Sequence, residues 1–280
     1  MILVADSGST KTDWKLIENG LVKASFQTIG FNPYIIDVDA VLEELNQSDL
    51  QAFCSEVEEV HLYAAGCSTK ANQELLKVPL AKFFINAKVN VNHDLMAAAR
   101  ATCGNNEGMV AILGTGSNSC LYDGSEVIEN VRALGYVLGD YGSGADIGKA
   151  FLQQVFANEF NEVLQHKFDN QIQINEVLDA VYKKPLPNRY LASFNKLVAE
   201  NISEKEIAEL VKSRLRLFFE YNICKYSNFS QHPLHIVGSI GLVYKDLIQQ
   251  VAKEFEVELG EVIQKPIDNL VSYHLNKINF

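Results

Sequence analysis

The sequence predicts an α/β protein built as two lobes, and three observations lead to that reading. A strand–turn–strand design at the N-terminus, Met1-Ile-Leu-Val-Ala-Asp-Ser-Gly-Ser-Thr-Lys-Thr-Asp-Trp-Lys-Leu-Ile, recurs as Met109-Val-Ala-Ile-Leu-Gly-Thr-Gly-Ser-Asn-Ser-Cys-Leu-Tyr-Asp-Gly. Each copy is followed by a turn, Asn19-Gly20 or Asp123-Gly124, and by a third strand-like run. Beyond each opening meander, the segments alternate between strand and helix character, as α/β units do. A chain of 280 residues has room for two lobes of ordinary size.

The elements follow in order. The first lobe opens with strands near 2–5, 12–18 and 21–28. Val38, Val41, Leu42, Leu45 and Leu50 then recur at helical spacing over 37–53. Residues 60–64 read as a short buried strand and 69–84 as a helix broken near Pro79. A strand over 88–92 ends at His93-Asp94, and Leu95-Met-Ala-Ala-Ala-Arg-Ala is a strong helix former. The second lobe repeats the meander at 109–113, 117–122 and 126–131. A glycine-dense stretch from Gly135 to Gly148 leads into a helix near 146–160. The central part is mainly helical, with loop signals at 183–188 and Ser203. Ile207, Leu210, Val211, Leu215 and Phe218 recur at core spacing. Leu234-His-Ile-Val is a buried strand stopped by Gly238-Ser239, followed by helices near 241–256 and 266–276. The expected lobes are 1–107, joined by the last segment 266–280, and 108–265, with a hinge near 104–108.

Composition narrows the function. Hydrophobic residues make up 48% and charged residues 21%, ordinary values for a soluble globular protein. A net charge of −11 argues against a nucleic-acid or acidic-membrane partner, which would want a basic face. No run of about 18 apolar residues suggests a membrane span, and the N-terminus lacks the pattern of a secretory signal. The five cysteines (54, 67, 103, 120, 224) share no C-x-x-C spacing. That pattern favours reduced thiols in a cytoplasm over a disulfide frame, zinc site or iron–sulfur cluster. The six histidines show no metal spacing.

The two Gly/Ser/Thr turns carry the chemistry. In a Walker-type loop or a dinucleotide fingerprint, the glycine turn opens into a helix. Here each turn opens into a second strand, so the turns are hairpin tips whose N–H groups and hydroxyls can face phosphate oxygens. Two matched copies imply two lobes holding one polyphosphate. Asp6 closes the first strand, where a carboxylate can hold Mg²⁺ through water or simply cap the turn. Lys11, after the turn, suits a phosphate partner or an exposed hairpin lysine equally well.

Asp94 stands at a strand end and a helix start, where α/β folds present ligands. It suits an N-cap and also the carboxylate that orients an attacking hydroxyl and accepts its proton. Within Leu134-Gly-Tyr-Val-Leu-Gly-Asp-Tyr-Gly-Ser-Gly, Asp140, next to Gly139, is a candidate for sugar hydroxyls. Asn32 in Gly-Phe-Asn-Pro-Tyr, and Gly66 with Cys67 after the 60–64 strand, are further polar loop candidates. Gly238-Ser239, between a buried strand and a helix, would let adenine or ribose lie against backbone.

In this order the motifs resemble those of the actin-like ATPase superfamily, which includes hexokinases and heat-shock chaperones. Asp6-Ser-Gly-Ser-Thr-Lys-Thr is similar to its first phosphate motif, Gly114-Thr-Gly-Ser to its second, and Val237-Gly-Ser to its adenosine motif. Leu113-Gly-Thr-Gly-Ser-Asn and Gly135-Tyr-Val-Leu-Gly-Asp-Tyr-Gly-Ser are similar to the N-acetylglucosamine kinase branch of the benzoyl-CoA-reductase-activator-type ATPases. The resemblance spans Asp6 to about Pro266.

It implies a duplicated ribonuclease-H-like fold with a cleft between lobes. It further implies a cytoplasmic kinase using ATP and Mg²⁺ on an amino sugar, with N-acetylglucosamine as the leading acceptor. N-acetylmuramate, glucosamine and a regulatory, non-kinase ATPase are the alternatives. It makes Asp94 the general base toward the sugar 6-hydroxyl. Asn32, Gly66, Cys67, Gly139 and Asp140 would lie with Asp94 at the sugar. Asp6, Gly8, Ser9, Thr10, Lys11, Gly114, Thr115, Gly116 and Ser117 would serve the phosphates and Mg²⁺, and Gly238 and Ser239 the adenosine. Relatives are often homodimers. Two positions depart from the family pattern: Tyr141, where relatives commonly carry Glu, and Asn269, where they often carry Gly.

Overall fold

A computed structural model describes residues 1–278, and the chain divides into two compact units. One comprises 1–106 together with the segment from Lys265 onward; the other comprises 107–264.

In the first unit, strands β1 (Ile2–Ser7), β2 (Lys11–Glu18) and β3 (Leu21–Ile29) form an antiparallel meander. Helix α1 (Val38–Gln47) leads to β4 (Glu59–Ala64), α2 (Lys70–Phe83) to β5 (Lys88–His93), and α3 (Asp94–Thr102) follows. The sheet order is β3-β2-β1-β4-β5, with β4 and β5 parallel to β1. Leu3, Ala5, Trp14, Leu16, Leu62 and Ala64 point from one face into a core shared with Val41, Leu45, Leu76 and Leu80 of α1 and α2. Because side chains alternate along a strand, Asp6 lies on the opposite face, which α3 also meets.

The second unit repeats the plan. Strands β6 (Gly108–Leu113), β7 (Ser117–Tyr122) and β8 (Val127–Glu129) form the meander. Helices α4 (Gly135–Leu138), α5 (Gly144–Ala157), α6 (Glu162–Asp169), α7 (Ile174–Tyr182), α8 (Pro187–Ser193), α9 (Asn195–Glu200) and α10 (Lys205–Tyr221) lead to β9 (Leu234–Val237). Helices α11 (Ser239–Val243) and α12 (Lys245–Glu254) then precede β10 (Leu259–Ile263). The order β10-β9-β6-β7-β8, with β9 and β10 parallel to β6, matches the first sheet strand for strand. The chain finally returns to the first unit as α13 (Ile267–Ile278). This helix packs on β1, β2 and α3, where Asn269 Nδ2 donates to the Ala101 carbonyl at 2.9 Å. No helix among the described residues is long and apolar enough to cross a membrane.

Several expected elements differ. The 37–53 helix stops at Ser48, whose extended backbone and hydroxyl bond to the Leu45 carbonyl end α1 before a 3₁₀ turn at Asp49–Phe53. Pro79 does not break α2; burial of Leu76, Pro79, Leu80 and Phe83 outweighs the one missing N–H. The 241–256 helix is two pieces. It divides at Tyr244, which is buried with its hydroxyl 3.0 Å from Asn195 Oδ1. Strand β10 carries no strong apolar run and was not expected, nor was the short α4 inside the glycine-dense stretch. The final segment was expected to reach 280, and residues 279 and 280 lie outside the described ones.

Candidate active site

The first turn is fixed from beneath by hydroxyls. Ser7 Oγ and Thr12 Oγ1 lie 2.7 Å apart across the β1–β2 hairpin. Thr12 donates to the Ile29 carbonyl at 2.8 Å, and Ser7 accepts from the Phe31 amide at 2.8 Å. Gly8 N–H closes the turn on the Lys11 carbonyl at 3.0 Å, leaving Gly8, Ser9 and Thr10 exposed. Gly30 presses against this turn: a Cβ there would lie 2.2 Å from the Gly8 carbonyl oxygen and 2.6 Å from Thr10 N. We expect Gly30→Ala to displace the turn and lower kcat/KM for ATP on the order of 100-fold. Initial rates at varied ATP, taken well below the melting temperature of the variant, check this.

Around that turn the structure gathers the polar loop residues of the first unit. Asn32 is nearly buried; its Nδ2 donates to Ser9 Oγ at 3.0 Å and its Oδ1 accepts from Tyr34 N–H at 3.0 Å. A Cβ on Gly66 would lie 2.5 Å from Asn32 Oδ1, so only glycine leaves room there. Its carbonyl accepts from Asn72 Nδ2 at 2.7 Å, and that of Cys67 from Gln73 Nε2 at 3.0 Å, so α2 holds this loop. The Cys67 side chain is fully buried in the core. Burial and the nearby Asp94 charge push its thiol up to about 12. Any contact from Cys67 to a ligand therefore falls to its backbone.

Asp94 is the first residue of α3 rather than its cap. His93 takes the cap, its Nδ1 accepting from Met96 N–H at 3.3 Å, while the Asp94 carboxylate accepts from Leu95 N–H at 2.9 Å. Burial raises the Asp94 carboxyl to about 6, against the pull of that amide. Burial raises Asp6 further, to about 7, with the charges of Asp94 and Asp13 adding to it. Asp13 pairs directly with Asp6 across β1–β2, and it receives Lys265 Nζ at 2.9 Å and Lys11 Nζ at 3.7 Å. Sequence reasoning missed Asp13 and Lys265. Folding the hairpin about its turn would have placed Asp13 opposite Asp6; Lys265 left no local signal.

The second turn is built differently. Gly114 N–H bonds the Gly116 carbonyl at 3.0 Å, and α5 begins on the turn itself: Gly144 N–H donates to the Gly114 carbonyl at 2.8 Å and Ala145 N–H to that of Thr115 at 3.0 Å. Ser117 Oγ is buried with no hydrogen-bond partner among the described residues. Asp140, in left-handed backbone at φ 54°, turns its carboxylate to this turn. A Cβ on Gly116 would lie 2.7 Å from its Oδ2. Burial raises the Asp140 carboxyl, with the Ser117 amide opposing. Ser117, Arg132, Gly139, Asp140, Tyr141 and Tyr221 line a pocket of about 170 Å³. Tyr141 stacks on Tyr221 at 5.0 Å between ring centroids, so this departure from the family pattern is an aromatic contact. Beneath the loop, buried Asp146 accepts from Gly142 N–H at 3.1 Å and takes a bidentate pair from Arg214 at 2.8 and 2.9 Å.

Gly238 ends β9 at φ 128°, and a Cβ there would lie 2.2 Å from the Leu113 carbonyl oxygen. That close approach sets Ser239 beside a groove of about 630 Å³ formed with Ala192, Asn195, Lys196, Glu200 and Val243. Those residues of α8, α9 and α11 were not foreseen, because their helices carry no nucleotide motif.

Fold and site together define a sugar kinase on the two-lobed actin-like ATPase fold. A candidate N-acetylglucosamine kinase from Porphyromonas gingivalis superposes with a TM-score of 0.93 at 37% identity, covering 99% of this chain and 100% of that one. This chain belongs to the same family of sugar kinases. A candidate N-acetylglucosamine kinase from Chromobacterium violaceum shares the fold at 18% identity and a TM-score of 0.63, over 97% and 98% of the two chains. A ROK-family glucokinase from Streptomyces griseus, solved with glucose and AMPPNP, shares it at 14% and 0.52, over 97% of each. No family model and no curated protein matches the chain.

Proposed function

We propose that the protein transfers the γ-phosphoryl group of ATP to the 6-hydroxyl of an amino sugar, with N-acetylglucosamine as the acceptor. The observation that carries this reading is Asp94. It is a carboxyl raised to about 6 at the end of a parallel strand, in the unit that also presents Asp6 and the Ser9–Asn32–Gly66 cluster. The likeness to the P. gingivalis protein supports the acceptor. The motifs at 113–118 and 135–143 support placement in the benzoyl-CoA-reductase-activator-type branch.

In this reading Asp94 orients the acceptor hydroxyl and takes its proton as the oxygen attacks the γ-phosphorus and ADP departs. Little covalent work falls to the protein, so positioning dominates. Asn32, the Gly66–Cys67 backbone, Gly139 and Asp140 hold sugar hydroxyls. The exposed Gly8–Lys11 turn and the Gly114–Ser117 turn, with its orphaned Ser117 hydroxyl, hold phosphates. Gly238, Ser239 and their groove take the adenosine.

Mg²⁺ fits Asp6. Among the described residues no cluster of three or more His, Cys, Asp or Glu could cage a metal, but magnesium commonly uses one or two carboxylates plus phosphates and water. A carboxyl raised to about 7 beside a second acid suits a site completed by a cation. When bound, the ion would neutralise phosphate charge.

The test is ADP formation from ATP with Mg²⁺ against N-acetylglucosamine, N-acetylmuramate, glucosamine, glucose and no sugar. We expect strong stimulation by N-acetylglucosamine. Stimulation by another sugar would reassign the acceptor, and equal low rates throughout would point to a regulatory ATPase.

A further inference from the structure

We propose that Lys265 is a second phosphate-binding cation at the first turn, acting with Lys11, and that Asp13 holds both ammonium groups until a nucleotide displaces it. The proposal rests on reading that turn as a phosphate site. Lys265 Nζ lies 2.9 Å from Asp13 Oδ2, and Lys11 Nζ 3.7 Å from Asp13 Oδ1. Two cations therefore converge on one carboxylate.

Like charges brought together need an anion beside them, and Asp13 supplies one carboxylate for two ammonium groups. Both lysine side chains are 47% exposed, free to turn on their stems, whereas the Asp13 side chain is 15% exposed and fixed by Gln27 Nε2 at 2.6 Å. The stationary member is thus the acid and the mobile members are the cations. Asp6, paired across the hairpin from Asp13, feels both lysines, so the convergence lies on the functional side of the turn. Lys265 is held there by α13, which starts two residues later and packs on β1 and β2.

Burial alone would raise the Asp13 carboxyl; the Lys265 and Gln27 hydrogen bonds and the lysine charges hold it below the usual carboxylate range. It remains a charged placeholder at neutral pH. A triphosphate, carrying more negative charge than one carboxylate, would draw both ammonium groups from it.

The competing explanation is that Lys265 only neutralises Asp13, and a double-variant cycle separates the two. Binding of ATP with Mg²⁺ is measured by calorimetry without sugar, alongside KM for ATP and for sugar. We expect Lys265→Met to weaken ATP binding roughly tenfold with unchanged sugar KM, and Lys265→Arg to restore most of it. Asp13→Asn should tighten binding by freeing both cations. In the double variant only Lys11 is freed, so it should bind ATP roughly tenfold more weakly than Asp13→Asn alone. Wild-type affinity in Lys265→Met, or no loss when Lys265→Met is added to Asp13→Asn, overturns the proposal. Wild-type protein that binds no ATP overturns the phosphate reading of the turn and this proposal with it. Thermal melting of each variant, with Lys265→Gln as a second neutral substitution, separates a binding loss from misfolding.

Discussion

Asp94→Asn is expected to lower kcat by about two to four orders of magnitude while leaving ATP affinity within a few-fold of the parent. The amide keeps the size of the carboxyl and can still accept from Leu95 N–H, but it cannot take the acceptor proton. Near-normal turnover in the variant would remove Asp94 from the base role. The same residue sets a pH signature. Only the ionised carboxylate accepts a proton, so kcat/KM for the sugar should fall as pH drops through about 6, and this limb should vanish in the variant.

Stability runs the opposite way. A carboxyl raised in the folded state favours its protonated form there. Its stabilising contribution is complete below the ordinary value of 3.8 and lost as pH rises through about 6. At pH 8 the parent carries a partly desolvated charge that Asp94→Asn does not. The nearly inactive variant should therefore melt above the parent at pH 8, and that advantage should fade toward pH 4. An unchanged melting difference across that range would show that Asp94 is not held in a charge-averse setting.

Arg214→Met is the second large effect, and it falls on stability first. Asp146 is 1% exposed and receives both guanidinium bonds. Lys149, at 3.8 Å, is a poor substitute. Removing one partner of a buried pair leaves an uncompensated charge, at a cost of about 3–5 kcal/mol. For a chain of this size that is a fall in Tm on the order of 10 °C. Asp146 also holds Gly142 N–H at 3.1 Å, so the Gly139–Gly142 loop loses an anchor. KM for the sugar should rise even below the melting range, measured by initial rates at low temperature. The paired change Asp146→Asn with Arg214→Met should recover much of the stability, since it removes the orphaned charge.

Both meanders, both turns and the strand-to-helix junction at Asp94 could be read from sequence because each is a local signal. Apolar alternation ends at a glycine turn, or a β-branched run meets an alanine-rich one. Arrangements made by distant residues could not. Gly30 looks like any loop glycine until the turn 20 residues earlier folds back against it. Asp146 and Arg214 lie on helices α5 and α10 and meet only through packing, and Lys265 is 252 positions from Asp13. The helix ends that went astray, at Ser48 and Tyr244, were decided by a side-chain hydrogen bond and a buried aromatic, which helical periodicity does not register. Strand β10 lacked any signal of its own, since its residues are only partly buried at the edge of the sheet.

The return of the chain to its first unit through α13 gives the molecule a birth order. The 107–264 unit is continuous in sequence and can close as soon as its own strands have left the ribosome. The unit bearing Asp6 and Asp94 is spelled in two instalments, and its second arrives only with Lys265 and α13. At ordinary rates of synthesis the interval is on the order of 10 s or more. Through it, the face of β1 and β2 that α13 will cover stays open to solvent and to chaperones. The older half of the sequence is thus the younger half of the fold.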